Sequence, residues 1–216
     1  MKILFLGDSI TEGAGASAPE NNYVNKVGQK LNCEVVNYGV GGTRIGRQKA
    51  VNGKTIWNYD FRLRLEIMQD EADRVFVFGG TNDFGHGALH LGEVESRCED
   101  TFCGSFRLLI DALCEKYCKE KLCFIIPMHR FEETAQKCKG ENGDEMGAAL
   151  PEYVDVMRKI LCEYNVEFID LYENGFPKPL VKTGDEYTVD GLHPNDKGHE
   201  LIADIICEYV GNKLKK

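Results

Sequence analysis

The sequence predicts an α/β fold in which a five-stranded parallel sheet carries helices on both faces. Five short apolar runs have the length of strands, and stretches with helical periodicity lie between them. Alternating strands and helices favour a parallel sheet, because each right-handed crossover returns the chain to the same end of the sheet. For five strands we expect the order 2-1-3-4-5, with a ligand crevice above strands 1 and 3.

The predicted strands are dominated by apolar residues, as is typical of strands buried on both faces. They are Lys2–Leu6, Glu34–Asn37, Arg74–Phe78, Leu122–Pro127 and Val166–Leu171. Four helices are predicted from apolar stripes at helical spacing, each expected to face the core. The stripes are Tyr23, Val24, Val27 and Leu31; Phe102, Phe106, Leu109, Ile110 and Leu113; Tyr153, Val154, Met157, Ile160 and Leu161; and Leu201, Ile202, Ile205 and Ile206.

The length indicates a single domain over residues 1–216. The net charge of −9 argues against nucleic acid and against an anionic membrane surface, since both partners require a basic face. No apolar run approaches the roughly 18 residues of a membrane-spanning helix. The run at residues 3–6 is also shorter than the apolar core of a signal peptide, of about 7–15 residues. We therefore expect a cytoplasmic protein; its oligomeric state is not readable from the sequence.

The nine cysteines predict buried, reduced thiols rather than a metal site. They lack the two-residue gaps of zinc knuckles, and most are flanked by apolar residues, where a thiol packs as a small hydrophobe. His86 and His90 lie four residues apart but have no carboxylate or cysteine at a useful spacing. We interpret them as loop residues, and we predict neither a metal nor another cofactor.

Three connections are longer than packing requires: residues 43–61, 84–100 and 129–149. All three follow strands at their carboxyl ends, so they could wall the same crevice. The first contains Trp57, Tyr59 and Phe61, which either contact an acyl or sugar group of the substrate or hold the loop to the body of the protein.

Four loops at the carboxyl edge of the predicted sheet carry residues that could perform chemistry. They are residues 7–9, 37–42, 79–83 and 188–194. Together they fit acyl transfer. The hydroxyl of Ser9 is a weak nucleophile until an imidazole such as His193 takes its proton, and the imidazole needs a partner such as Asp190. Asp190 and His193 are three residues apart, so on a helical turn their side chains can meet.

A tetrahedral intermediate requires preorganised hydrogen-bond donors. The backbone N–H groups of Ser9 and Gly42 and the side-chain amide of Asn82 could supply them. Gly42 is suited to this role because no side chain blocks close approach to its backbone. Asp8 and Asp83 adjoin these residues, and we expect each to hold a loop by accepting backbone N–H bonds.

Each motif also has an ordinary structural interpretation. Asp8 and Ser9 could form a turn that caps a helix, the glycines of residues 39–42 could form a simple loop, and Asn82 could be a turn former. His193 and Pro194 could begin a helix capped by Asn195 and Asp196. A phosphate-binding module could use residues 7–15. That stretch lacks the Gly-Lys-Ser/Thr ending of a P-loop, however, and a phosphate site would leave Asp190 unexplained.

The four loops resemble the conserved blocks of the SGNH hydrolase superfamily, the GDSL-type esterases and lipases. The matching blocks are Gly7-Asp8-Ser9-Ile10-Thr11, residues 37–42, Gly79-Gly80-Thr81-Asn82-Asp83 and Asp190-Gly191-Leu192-His193-Pro194, which occur in the family's order. Ile10 replaces the leucine of the family's name, which is a conservative change. Thr43-Arg44 after Gly42 is less typical, so Arg44 either lines the substrate site or is a surface arginine.

The resemblance implies a flavodoxin-like, three-layer α/β/α fold and ester hydrolysis without metal or cofactor. It assigns Ser9 as nucleophile, His193 as base and Asp190 as its partner, with Gly42 and Asn82 completing the oxyanion hole. The acidic character of the chain favours a soluble ester, acetylated carbohydrate first and short-chain lipid or thioester next. The alternative is a carbohydrate-recognition protein on an esterase scaffold, against which the intact triad argues.

Overall fold

The computed structural model describes residues 1–47, 60–86, 89–134 and 148–214. Its sheet is parallel throughout and has the order β2-β1-β3-β4-β5. The strands are β1 Lys2–Gly7, β2 Glu34–Gly39, β3 Arg74–Phe78, β4 Leu122–Ile126 and β5 Glu167–Asp170. The predicted fold class and strand order are confirmed.

The four predicted helices are present, together with short ones that the sequence pattern did not reveal. The long helices are α2 Tyr23–Leu31, α4 Phe102–Lys116, α5 Leu150–Tyr164 and α7 Asp196–Leu214. The short helices are α1 Ser9–Glu12, α3 Thr81–His86 and α6 Leu171–Asn174. Four to six residues are too few to show an apolar stripe, so periodicity could not find them. None of the helices in the described ranges has both the length and the apolar character to cross a membrane.

Two apolar layers pack on opposite faces of the sheet. Successive side chains of a strand point to opposite faces, so Leu4 and Leu6 enter one layer while Ile3 and Phe5 enter the other. The first layer includes the buried faces of α4 and α5, and the second includes those of α2 and α7. The result is the three-layer α/β/α arrangement, which leaves the carboxyl edge of the sheet free for the loops.

The prediction of buried cysteines is wrong for most of those that the structure describes. Cys103 and Cys123 are buried, whereas Cys98, Cys118 and Cys162 are exposed. The other described thiols are half-buried, and all the described cysteines are free. Apolar neighbours in sequence are a poor guide on a helix, because consecutive residues there point about 100° apart.

The described part of the first long connection is held to the body of the protein by Phe61. This ring is fully buried, and the guanidinium carbon of Arg64 lies 4.5 Å from its centroid. Phe61 therefore packs rather than contacting a substrate. Trp57 and Tyr59 lie outside the described residues, as do residues 87–88 and 135–147 of the other two connections.

Candidate active site

Ser9 lies where β1 ends and α1 begins. The side chain of Asp8 caps this helix, with Oδ1 accepting a 3.0 Å hydrogen bond from the backbone N–H of Ile10. Gly13, in the left-handed region with φ of 115°, ends the helix after one turn. Ser9 is thus fixed in a first turn, where backbone N–H groups have no intrahelical acceptor.

Ser9, His193 and Asp190 form a continuous hydrogen-bonded chain. The distance from Ser9 Oγ to His193 Nε2 is 3.0 Å, and that from His193 Nδ1 to Asp190 Oδ2 is 2.7 Å. Asp190 Oδ1 also accepts the backbone N–H groups of His193, at 2.7 Å, and of Leu192, at 3.0 Å. Two residues from opposite ends of the chain, 184 positions apart, are therefore in contact.

The hydrogen bonds of Asp190 also determine its own protonation state and the tautomer of His193. Partial burial raises the pKa of this carboxyl, but hydrogen bonds from the ring and backbone of His193 outweigh it and hold the pKa below its usual range. An ionised Asp190 keeps a proton on Nδ1 of His193. Nε2 of the neutral ring then faces Ser9 as an acceptor.

The contact between Asp190 and His193 is made across a loop and not on a helical turn as predicted. Thr188 pairs with Pro194 in an isolated antiparallel bridge, and the N–H of Val189 donates to the carbonyl of His193 at 2.9 Å. We call residues 188–194 the base loop. Because its ends pair, the two side chains project to the same side.

The helix-entry interpretation of this region is correct for Asn195 but not for Asp196, which is the first residue of α7 and whose carboxylate binds Ser17. Asn195 Oδ1 accepts the backbone N–H groups of Lys197, at 3.0 Å, and Gly198, at 3.1 Å. These bonds cap the first turn of α7, directly after the base loop. The same short segment therefore starts the last helix and carries the imidazole.

The base loop packs against the chain that follows α1. Gly15 has φ of 90°, and a β carbon there would lie 2.1 Å from the carbonyl oxygen of Pro194, so only glycine permits this approach. His199 on α7 is fully buried, with Nε2 3.2 Å from the carbonyl of Ala14 and Nδ1 3.3 Å from the N–H of Tyr23. Burial lowers the pKa of His199 to about 4, which keeps this structural imidazole neutral.

Gly42 lies in the loop that follows β2, and Asn82 lies in α3, which begins shortly after β3. Gly42 has φ of 76°, in the left-handed region. Asn82, in the first turn of α3, is buried, and its Nδ2 donates to the carbonyl of Thr43 at 3.0 Å. A β carbon on Gly41 would lie 3.8 Å from Cβ of Ser9. The loop of residues 39–42 therefore runs alongside Ser9, and the amide of Asn82 binds Thr43, just after that loop.

A buried guanidinium lies beneath this arrangement. Arg64 is 1% exposed; its Nη1 donates to the carbonyls of Gly7 at 2.7 Å and Tyr38 at 2.5 Å, and its Nη2 donates to Thr43 Oγ1 at 3.0 Å. Burial lowers its pKa to about 10, so the group stays charged at neutral pH. Arg64 joins the ends of β1 and β2 to the residue after Gly42. No sequence signal pointed to it, because it lies in a short 3₁₀ helix outside every motif.

Asp8 and Asp83 accept backbone N–H bonds, as predicted. Asp83 receives those of Gly46, at 2.7 Å, and Ile45, at 3.0 Å. Desolvation raises the pKa of Asp8 to about 7 and that of Asp83 to about 6. Asp8 Oδ2 has no hydrogen-bond partner in the described part of the chain. We call Asp8, Arg64, Asn82 and Asp83 the polar floor.

The remaining predicted residues lie at the margin or outside the described ranges. Arg44 is half-buried, and its Nη1 donates to the carbonyl of His86 at 2.5 Å, so its guanidinium is tied to the end of α3. His90 pairs with Thr101 in an isolated bridge. Trp57, the other proposed substrate contact, is not among the described residues. No metal-binding group of three or more His, Cys, Asp or Glu side chains occurs within the described ranges.

Arg130 is a second arginine that the sequence pattern did not single out, and it lies in the connection that follows β4. Arg130 Nη1 donates to the carbonyl of Thr81 at 3.2 Å and to its Oγ1 at 3.3 Å. The backbone N–H of Phe131 donates to the carbonyl of Gly191 in the base loop at 2.7 Å. The one feature of the sequence that could have indicated Arg130 was its position just beyond β4, at the carboxyl edge of the sheet.

The fold and the hydrogen-bonded Ser-His-Asp chain define a three-layer α/β/α protein of hydrolase type. A model of the GDSL-like lipase/acylhydrolase family matches residues 5–201. The chain belongs to this family. A search of curated protein sequences found no match.

Solved structures of similar proteins share this fold. A protein from Lactobacillus plantarum is 23% identical, with a TM-score of 0.80 over 98% of this chain and 96% of that one. The acetyl xylan esterase AlAXEase is 25% identical, with a TM-score of 0.67 over 97% and 100% of the two chains. A lipase/acylhydrolase from Enterococcus faecalis is 22% identical, with a TM-score of 0.65 over 98% and 96%.

Proposed function

We propose that the protein is a serine esterase that cleaves small acyl esters through an acyl-enzyme intermediate. Ser9 is the nucleophile, His193 the general base and Asp190 the partner that orients and stabilises the imidazole. The observation that carries the proposal is the hydrogen-bonded chain from Ser9 Oγ through the imidazole to the Asp190 carboxylate. Membership of a family of lipases and acylhydrolases supports the same chemistry.

In the first half-reaction, Ser9 Oγ attacks the ester carbonyl carbon while Nε2 of His193 takes the hydroxyl proton. The charge that develops on the carbonyl oxygen is met by the N–H groups of Ser9 and Gly42 and by Nδ2 of Asn82. Collapse of the tetrahedral intermediate breaks the bond to the alcohol oxygen, which receives the proton from His193. Water then attacks the acyl-enzyme by the same route, releasing the acid and restoring the Ser9 hydroxyl.

The substrates that we propose are small acetyl esters, with acetylated carbohydrate first. Similarity to the acetyl xylan esterase AlAXEase supports this choice, since its whole length is covered at 25% identity. Short-chain lipid or thioester is the second candidate, supported by the family description and by the similarity to the Enterococcus faecalis lipase/acylhydrolase.

The test replaces the nucleophile. Ser9→Ala should lower kcat on p-nitrophenyl acetate by about 10⁴–10⁶-fold while leaving the unfolding midpoint near that of wild type. Ser96→Ala is the matched control, because that hydroxyl contacts Thr101 outside the site, and it should keep wild-type activity. Normal turnover by Ser9→Ala, or failure of a fluorophosphonate to label Ser9, would contradict the assignment.

The acyl and alcohol groups can then be identified with a panel of substrates. p-Nitrophenyl esters of rising chain length and acetylated xylo-oligosaccharides should be compared by kcat/KM. We expect kcat/KM for the acetyl ester to exceed kcat/KM for the octanoyl ester. A rise in kcat/KM with chain length would instead favour the lipid-esterase alternative.

A further inference from the structure

Arg130 places a positive charge in the candidate site that the proposed reaction does not use. The residue is half-buried, and its side chain runs across the start of α3. A β carbon on Gly85 would lie 3.0 Å from Arg130 Nη1, and the guanidinium carbon lies 5.1 Å from the centroid of Phe84. The guanidinium thus rests on the helix that carries Asn82.

The same guanidinium also faces the base loop. Phe131, the next residue, donates its N–H to Gly191, which lies between Asp190 and His193. The charge of Arg130 also interacts with those of Asp190, Glu133 and Asp8. Arg130 is therefore held by α3, which carries Asn82, and its neighbour Phe131 binds the base loop, which carries His193.

Its hydrogen bonds leave one edge of the guanidinium open. Nη1 is held by Thr81, while Nε and Nη2 have no acceptor within the described residues. Nε and Nη2 together form the edge that binds both oxygens of a carboxylate. Two of the carboxylates whose charges act on Arg130 are already engaged, Asp190 by His193 and Glu133 by His129 and Lys178, each at 2.6–2.7 Å, and the third, Asp8, is buried.

Burial makes an incoming anion favourable at this edge. Desolvation lowers the pKa of Arg130 even though the charges of Asp190, Glu133 and Asp8 act to raise it, and the hydrogen bonds of its Nη1 are to the neutral oxygens of Thr81. A carboxylate that docks on Nε and Nη2 would make two charge-assisted hydrogen bonds in a partly water-excluded cleft, where such bonds are strongest.

We propose that Arg130 forms a carboxylate-binding subsite, so that the preferred esters carry a carboxylate close to the ester group. This inference rests on the esterase function proposed above. The carboxylate can belong to the acyl part of the substrate, as in a hemisuccinate, or to the alcohol part, as in an acetylated hydroxy acid. Both sources present the same chemistry to Arg130, and two pairs of esters distinguish them.

Each pair differs only in a carboxylate replaced by a neutral amide. Phenyl hemisuccinate against phenyl succinamate tests the acyl side, and 4-acetoxybenzoate against 4-acetoxybenzamide tests the alcohol side. In wild type we expect kcat/KM for the carboxylate to exceed that for the amide by about tenfold or more in one pair, the equivalent of one strong charged contact. The preference should decrease as NaCl is raised, since salt screens the attraction.

Arg130→Gln should abolish the preference, and Arg130→Lys should retain part of it, because lysine keeps the charge but loses the two-pronged geometry. Arg97→Gln is the matched control: Arg97 pairs with Asp111 on the surface, and its removal should leave the preference unchanged. A wild-type ratio of one or less in both pairs, or a ratio that Arg130→Gln leaves intact, would overturn the subsite.

Two further comparisons distinguish a misfolded variant, a failure of the subsite and a failure of the esterase proposal. Should Arg130→Gln fail to fold, the wild-type ratios at low and high salt decide the question by themselves. If esters are hydrolysed in a Ser9-dependent manner without any preference for a carboxylate, the subsite fails while the esterase proposal stands. If no ester is hydrolysed in a Ser9-dependent manner, the proposed function itself fails.

Discussion

In the polar floor, Arg64, Asn82 and Asp83 are at most 3% exposed. In the base loop, by contrast, the side chains of His193 and Asp190 are 25% and 46% exposed. The polar floor is held by hydrogen bonds between segments far apart in sequence. Arg64, for example, binds a carbonyl 57 positions away. The base loop is held by contacts within its own seven residues, by the hydrogen bond from the N–H of Phe131 to the carbonyl of Gly191, and by the close approach of Gly15.

This difference predicts that substitutions in the polar floor and in the base loop have different effects on stability and on rate. Buried polar groups cost free energy when a partner is removed, because the remaining group is left without water. Exposed groups do not incur this cost, because solvent replaces the partner. We therefore expect substitutions in the polar floor to lower both stability and rate, and substitutions in the base loop to lower rate alone.

The largest effect is expected at Asp190. Asp190→Asn removes the charge that stabilises the imidazolium and can reverse the tautomer of His193, so kcat should fall by about 10⁴-fold. The free energy of unfolding should change by less than about 1 kcal/mol, since the pair is partly exposed. Urea titration and steady-state kinetics on p-nitrophenyl acetate measure both quantities.

Asp204→Asn provides the control for that substitution, because Asp204 is an exposed carboxylate paired with Lys30 on α2, away from the base loop. It should leave kcat unchanged. A large loss of stability in Asp190→Asn would break the proposed distinction between the polar floor and the base loop.

The next effect is expected at Asn82. Asn82→Ala removes one oxyanion donor and should lower kcat by about 10²–10³-fold. It also leaves the carbonyl of Thr43 without its donor, at a cost of about 1–3 kcal/mol in unfolding free energy. Asn25→Ala, whose amide binds an exposed carbonyl on the surface, should change neither quantity appreciably.

A third prediction concerns Arg64. Arg64→Met keeps the apolar stem above Phe61 but removes the donors to Gly7, Tyr38 and Thr43, so unfolding free energy should fall by about 3 kcal/mol. Arg62→Met, which removes a partly exposed ion pair with Glu99, should cost at most about 1 kcal/mol. Equal stability losses in the two variants, measured by urea titration, would show that the polar floor is not special.

The smallest effect is the pH dependence contributed by Asp8. Its pKa is raised from 3.8 to about 7 in the folded protein, so the folded state binds more protons than the unfolded state between these values. Its contribution to stability is therefore present at low pH and is lost as pH rises toward 7. Asp8→Asn keeps the helix cap but cannot ionise.

We expect the stability of wild type relative to Asp8→Asn to fall by about 2 kcal/mol between pH 5 and pH 7. Urea titrations of both proteins at several pH values measure this difference directly. A difference that stays constant with pH, or rises, would contradict the raised pKa and with it the burial of an uncompensated carboxyl in the polar floor.

Local patterns in the sequence were sufficient for the sheet and for the order of its strands. An apolar run such as Leu122–Ile126 reports burial on both faces wherever it occurs, and alternation with helices fixes the direction of the strands. The four loops followed, because the carboxyl ends of parallel strands meet at one edge. Ser9, Asn82 and His193 could therefore be proposed as neighbours.

Residues whose roles depend on distant contacts could not be predicted in this way. Arg64 and Arg130 look like surface cations in sequence, and their importance comes from carbonyls and side chains on other segments. The contact between Asp190 and His193 was expected, but its geometry was not, because a bridge between Thr188 and Pro194 shapes the loop. Spacing alone does not distinguish that bridge from a helical turn.

The 184 positions that separate Ser9 from His193 have a consequence for synthesis on the ribosome. The strand that precedes Ser9 is synthesised well before the segment that carries the imidazole of His193. The two meet once α7 has docked on α2, where Lys26 and Lys30 pair with Glu200. Until that segment has been added, a nascent chain carries Ser9 without the imidazole that we propose as its activator.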